Sequence, residues 1–248
     1  KNHGLILPDA DLDQAVKDIV GAAYGSAGER CMAMPVAVPV GRKTADAFLE
    51  RMTEAARHLK VGVSTDAEAH YGPVISAAHK QKIETYIQMS VDEGAKLVLD
   101  GRGLKLQGHE AGFFLGPTLF DHVTPAMQSY QDEIFGPVLQ VVRAETLEEA
   151  IALPSRHAYG NGVAIFTRNG LAAREFAATV EAGMVGINVP IPAPVAYHSF
   201  GGWKRSAFGD MNQYGEDGVR FYTKVKTVTQ RWPDGDLGDQ AFVIPTLS

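Results

Sequence analysis

The sequence predicts an α/β fold with a largely parallel sheet flanked by helices. Segments with helix-like spacing alternate with short apolar runs that read as strands. Helix-sized stretches separate the strand-like runs, as the crossovers of a parallel sheet require. At 248 residues and 45% hydrophobic composition, the chain can bury a sizeable core without disulfide or metal staples.

From Asp11 on, Leu12, Ala15, Val16, Ile19, Val20, Ala23 and Tyr24 recur at helical spacing. Asp9 and Asp11 stand where acidic groups cap a helix and complement its dipole. Met34 to Val40 is short, apolar and valine-rich, a buried strand that Pro35 and Pro39 place near an edge or limit in its pairing. Phe48, Leu49, Met52, Ala55, Ala56 and Leu59 line one face of a second helix. Ser76 caps a third, which carries Ile83, Tyr86 and Ile87. Lys96 to Leu99 reads as a strand closed by the Asp100-Gly101 turn. Glu148 to Leu153, Gly162 to Thr167, Leu171 to Val180 and Met184 to Val189 continue as helix, strand, helix, strand. Pro190, Pro192 and Pro194 then interrupt every regular pattern, and an irregular Gly-rich stretch runs to Gly209. From Val219 to Thr229, β-branched residues alternate with charge and predict a final strand. The last 15 residues or so carry Gly, Asp and Pro, a composition expected to be poorly ordered unless it docks on another subunit.

Charge and composition narrow the function. Lys and Arg number 23 against 29 Asp and Glu, for a net charge of −6. This argues against nucleic acid, whose recognition relies on neutralising phosphates. No run of 18 apolar residues offers a membrane span. Lys1-Asn2-His3-Gly4 resembles no signal or transit peptide. The single cysteine excludes an intrachain disulfide framework and fits a reducing, cytoplasmic setting. No metal-ligand spacing, GxGxxG or Walker-type loop is present, so no metal or nucleotide-phosphate site is expected.

Three segments carry candidate chemistry. The lone cysteine lies in Gly25-Ser26-Ala27-Gly28-Glu29-Arg30-Cys31, between a helix and a strand. Glycines permit a tight turn and close approach to a substrate there, and a thiol exposed beside Arg30 would be favoured as the reactive thiolate. The alternative is a buried structural cysteine, the commoner state of this residue. The second segment is Asp132-Glu133-Ile134-Phe135-Gly136-Pro137, whose Gly-Pro pair marks a turn. A carboxylate on such a loop can accept from two sugar hydroxyls, and an aromatic beside it can pack on a flat ring. The plainer alternative is a surface acid next to a core phenylalanine. The third is Tyr197-His198-Ser199-Phe200-Gly201-Gly202-Trp203-Lys204-Arg205-Ser206, a glycine-aromatic loop suited to a pocket or interface. His198 could act as an acid or base, but more often such a histidine is a structural hydrogen-bonder.

Together these segments resemble the aldehyde dehydrogenase superfamily. Gly28-Glu29-Arg30-Cys31 is similar to its nucleophile motif and Glu133-Ile134-Phe135-Gly136-Pro137 to its second signature. Further likeness runs through Gly72-Pro73-Val74-Ile75, Gly116-Pro117-Thr118-Leu119-Phe120 and Tyr159-Gly160. Within the superfamily, Lys1-Asn2-His3, Gly28 to Ala33 and Ala196 to Lys204 resemble the CoA-acylating branch that acts on methylmalonate semialdehyde. The resemblance implies an NAD-dependent enzyme in which Cys31 attacks the aldehyde, Glu133 holds the nicotinamide ribose, Phe135 borders the nicotinamide and Arg30 holds the substrate carboxylate. It implies that CoA is the acyl acceptor, and that the small-molecule aldehyde and CoA are the partners.

The same resemblance implies a catalytic, thioester-forming domain over residues 1–195. Residues 196–248 would form a loop, an oligomerisation strand near Val225 to Thr229 and a tail, in a homo-oligomer. The N-terminal NAD-binding domain of the family is absent from this sequence, so the isolated chain is expected to fold but not to turn over. Two other readings remain at this stage. One is a hydrolytic aldehyde dehydrogenase releasing free acid. The other is a cysteine hydrolase or acyltransferase with His198 beside the thiol.

Overall fold

A computed structural model of the chain describes residues 1–232. The expectation for the last 15 residues or so lies outside the described residues. The architecture is mixed α/β with a mostly parallel seven-stranded sheet. The chain opens with β1 (His3–Ile6) and α1 (Leu12–Tyr24), whose Asp11 side chain accepts from the Gln14 N–H at its start. A tight turn over Gly25–Gly28 leads to β2 (Val36–Pro39) and α2 (Arg42–Arg57). Next come α3 (Ala77–Asp92), capped by the Ser76 hydroxyl, then β3 (Lys96–Leu99) and β4 (Thr118–Asp121). The short α4 (Gln128–Gln131), β5 (Val138–Val141) and α5 (Leu147–Arg156) follow. After them the chain forms β6 (Tyr159–Gly160), β7 (Gly162–Phe166), α6 (Gly170–Thr179) and β8 (Met184–Ile187). It closes with β9 (Trp203–Lys204) and α7 (Gly215–Tyr222).

The large sheet has the order β3-β4-β5-β2-β1-β7-β8. Every neighbouring pair is parallel except β3 with β4 at one edge. Strands β1, β2, β4, β5 and β7 are buried at every residue, as expected when helices cover both faces of a sheet. Leu5, Ile6, Ile19, Phe48, Phe120, Phe166 and Phe176 belong to the core cluster this creates.

Several expectations need correction. Strand β2 is not an edge strand but the fourth of seven. Its prolines are accommodated because Pro35 and Pro39 both face β5, where their carbonyls accept from Gln140 and Ala144. Toward β1 the ladder keeps its donors, as in Val40 N–H to Ile6 O at 2.9 Å. The strand expected over Val219–Thr229 does not form. Residues to Tyr222 belong to α7, opened by Glu216 and Asp217, to which Arg220 returns an ion pair. The following residues to 232 have no regular structure. A strand needs a paired neighbour, and none lies beside this segment among the described residues. Helix α5 runs past Leu153 through Pro154, and the Lys204 ammonium takes up the carbonyls of Pro154, Ser155 and His157 at 2.8–3.0 Å.

Candidate active site

Four adjacent strands, β5-β2-β1-β7, receive their chains from the candidate residues. Asn2 precedes β1, Cys31 leads into β2, the 133–137 loop leads into β5, and Asn161 immediately precedes β7. The site therefore lies off the amino ends of the strands. Open α/β sheets more often bind ligands off the carboxyl ends. Helix α1 returns the chain from the far end of β1 and delivers it to the cysteine turn.

That turn is built from left-handed backbone: Ser26, Ala27 and Gly28 have φ of 54°, 55° and 69°. Gly28 is required there for a second reason. A Cβ on it would stand 2.1 Å from the carbonyl oxygen of Gly136, so the two signature loops touch backbone to backbone. A polar clasp joins them again. Glu29 Oε1 accepts from the Ile75 N–H at 3.2 Å and lies 3.2 Å from His79 Nε2. His79 Nε2 is also 2.7 Å from Phe135 O; a carbonyl can only accept, so this nitrogen carries the proton. Phe135 itself is held at φ 58°, and the residue is 37% exposed.

Cys31 is exposed, and it lines one cleft together with Arg30, Glu133 and Phe135. All four residues singled out in the sequence thus meet. The Glu133 carboxylate is exposed and has no hydrogen bond or ion pair among the described residues. A second, larger cleft also opens on Cys31 and Glu133 and is walled by Phe200, Phe208 and Tyr214. His198 lines neither; it is exposed, with its ring 4.4 Å from that of Tyr197. Among the described residues no histidine lines either cleft, so the arrangement a cysteine hydrolase needs is not assembled around this thiol.

Sequence reasoning missed the supports of the site. The buried Lys1 ammonium donates to Ser129 O at 2.9 Å and Asp132 O at 2.7 Å, anchoring the segment that carries Glu133. Burial lowers it to about 7, against the opposing pull of Glu133 and Asp132. Behind it, His3 bonds the Tyr130 hydroxyl at 2.7 Å, and burial pushes His157 down to about 4, so both pack as neutral rings. A run of polar residues, Lys1-Asn2-His3, separated only by Gly4 from the apolar Leu5-Ile6-Leu7, was the available signal. Among the described residues no cluster of three or more His, Cys, Asp or Glu is placed to hold a metal. Nor is any described helix long and apolar enough to cross a membrane.

This fold, with a cysteine turn clasped to a Glu-Ile-Phe-Gly-Pro loop, defines a class. The chain belongs to the Aldehyde dehydrogenase family, whose sequence profile matches residues 1–228. Among its relatives, malonate-semialdehyde dehydrogenase of Pseudomonas aeruginosa is 58% identical over 248 residues, covering 100% of this chain and 50% of the relative. The structure of a methylmalonate-semialdehyde dehydrogenase from Oceanimonas doudoroffii is 59% identical with a TM-score of 0.92, covering 95% of this chain and 48% of that one. The structure of a putative methylmalonate-semialdehyde dehydrogenase from Sinorhizobium meliloti 1021, complexed with NAD, is 57% identical with a TM-score of 0.92, covering 95% of this chain and 48% of that one. The chain spans about half the length of the curated relatives it matches.

Proposed function

We propose that this chain is the catalytic half of an NAD-dependent, CoA-acylating (methyl)malonate-semialdehyde dehydrogenase. The observation that carries the proposal is the meeting of Cys31, Arg30, Glu133 and Phe135 in one cleft. The names of the similar proteins supply the substrate class. The unengaged Glu133 carboxylate and the half-exposed Phe135 ring fit the ribose and ring of a nicotinamide nucleoside, so these residues would hold that end of NAD.

The Cys31 thiolate adds to the aldehyde carbon. A C–S bond forms, the carbonyl electron pair moves to oxygen, and the Cys31 backbone N–H donates to that oxygen. Arg30 holds the substrate carboxylate by charge-assisted hydrogen bonds. Bound NAD would supply the two-electron acceptor that converts this thiohemiacetal to a thioester. On Cys31 the methylmalonyl group loses CO2: the electron pair of the broken C–C bond passes into the thioester enolate, and the α-carbon takes a proton from water to leave a propionyl thioester. The CoA thiol then takes the propionyl group as propionyl-CoA and returns the thiolate; malonate semialdehyde gives acetyl-CoA. Residues 1–195 form the thioester-forming unit in this proposal, and residues 196–248 complete the loop and the oligomer contact. Exposed Val219, Phe221, Tyr222, Val225 and Val228 support a homo-oligomer.

The test is product analysis of the protein carrying the additional half that its relatives possess. With saturating CoA, methylmalonate semialdehyde should give mainly propionyl-CoA; mostly free acid would place it with the hydrolytic enzymes. Glu133→Gln keeps the shape of the side chain but loses its charge. It should slow NAD reduction by roughly tenfold or more while the KM for aldehyde stays within a few-fold, since a charge-assisted bond is about twice as strong as a neutral one. An unchanged reduction rate and unchanged NAD dependence would remove Glu133 from the cofactor site.

A further inference from the structure

Cys31 lies in a stretch without regular structure, between the left-handed turn at 26–28 and the first residue of β2. Its carbonyl oxygen nevertheless receives two side-chain amides. Asn161 Nδ2 donates to it at 3.1 Å and Asn2 Nδ2 at 3.3 Å. The same Asn2 group donates to Ala33 O at 2.9 Å, and the same Asn161 group lies 3.2 Å from the Met32 sulfur. Asn2 Oδ1 accepts the Gly162 N–H at 2.9 Å, which fixes which end of that amide faces the cysteine. The two asparagines stand side by side, because each precedes one of two paired parallel strands in which His3 is in register with Val163. Cys31 is exposed, so water alone could satisfy its carbonyl. Two protein donors do more than satisfy it: they fix the orientation of the peptide that follows the thiol-bearing carbon. With that backbone held, the sulfur is confined to the staggered positions of one χ1 torsion. Asn161 also lines the larger cleft beside Cys31, so this contact sits at the reaction site rather than in the core.

We propose that Asn2 and Asn161 are positioning residues for the nucleophile, a pair of amides presented by adjacent strands that clamp the Cys31 carbonyl and aim its sulfur at the substrate. The inference rests on the reading of Cys31 as nucleophile. Positioning contributes steeply to rate, since a misplacement of about 1 Å costs on the order of 100-fold. Both Nδ2 groups are already engaged by protein atoms in this arrangement, so substrate binding should survive their loss.

The experiment uses the protein with the additional half its relatives carry. Asn161→Asp has nearly the same shape but cannot donate; Asn161→Ala removes the donor without adding charge. Each should lower kcat by about 10- to 100-fold, while the KM for semialdehyde stays within threefold and the melting temperature stays near that of the wild type. Asn2→Ser, combined with Asn161→Ala, should cost less than the product of the two single losses, because both donors serve one acceptor. A kcat within twofold of wild type in whichever Asn161 variant folds overturns the proposal. So does a loss that vanishes once rates are corrected for the folded fraction, or one carried wholly by KM. Cys31→Ser, run in parallel, separates the two readings. If it is active, the nucleophile assignment fails; if it is inactive while the Asn161 variants match wild type, only the clamp fails.

Discussion

Replacing Cys31 by Ala in the protein with its additional half should lower aldehyde oxidation by at least about a thousandfold, the scale that covalent catalysis commonly contributes. The chain holds no second thiol, and no histidine lines either cleft at Cys31 among the described residues. Nothing that this chain places at either cleft can take over thioester formation. The side chain is exposed, so its removal leaves no core cavity and folding should be unaffected. The loss should therefore appear in kcat with the thermal transition unchanged. Steady-state rates and a melting curve on the same preparation check this. Residual activity above about a thousandth of wild type would mean that the sulfur is not the nucleophile, because a bystander thiol contributes no covalent step.

Gly28→Ala should cost both stability and activity. At φ 69° an alanine is strained, and its Cβ would stand 2.1 Å from Gly136 O, a contact that backbone must move to relieve. Left-handed strain alone costs about 1–3 kcal/mol, and the overlap adds to it, so a loss on the order of 3 kcal/mol is expected. Because relief requires the two loops to separate, Cys31 and Phe135 move apart. Activity should then fall more than the folded fraction does. Urea titration gives the first quantity and kcat per folded molecule the second. An unchanged midpoint with unchanged kcat would show that the loops are not clasped at this point.

Much of this architecture was legible because local patterns and tertiary packing agree. Asp11 and Ser76 cap the helices they precede, and Gly162–Phe166 is an apolar run in a buried parallel strand. Strands β1 and β5 were not legible. The first begins with a histidine, and the second carries the fully buried Gln140, which breaks the apolar run that marks a doubly covered strand. The final segment misled for the converse reason. Alternation there suggested a strand, but pairing depends on a neighbour, and acidic residues at the start of α7 favour a helix instead. Cys31, Arg30, Glu133 and Phe135 stood out because their chemistry sits in short local motifs. Lys1, Asn2, His79 and Asn161 act by hydrogen bonds to backbone atoms up to 131 residues away, and no local spacing encodes that.

The placement of the cleft across the entrances of four adjacent parallel strands also bears on how the protein acquires it. Parallel neighbours cannot be joined by a short hairpin, so Asn2 and Cys31 are 29 residues apart, Cys31 and Asn161 are 130 apart, and Asn2 and Gly162 are 160 apart. Each of these contacts closes a long loop, and loop-closure entropy must be met before the contact gives anything back. Local helices can form on their own; the surroundings of the thiol cannot exist until the central strands have docked in their final order. Refolding followed at Cys31 should accordingly lag refolding followed by helical signal, making the cysteine a reporter of the last step of assembly rather than the first.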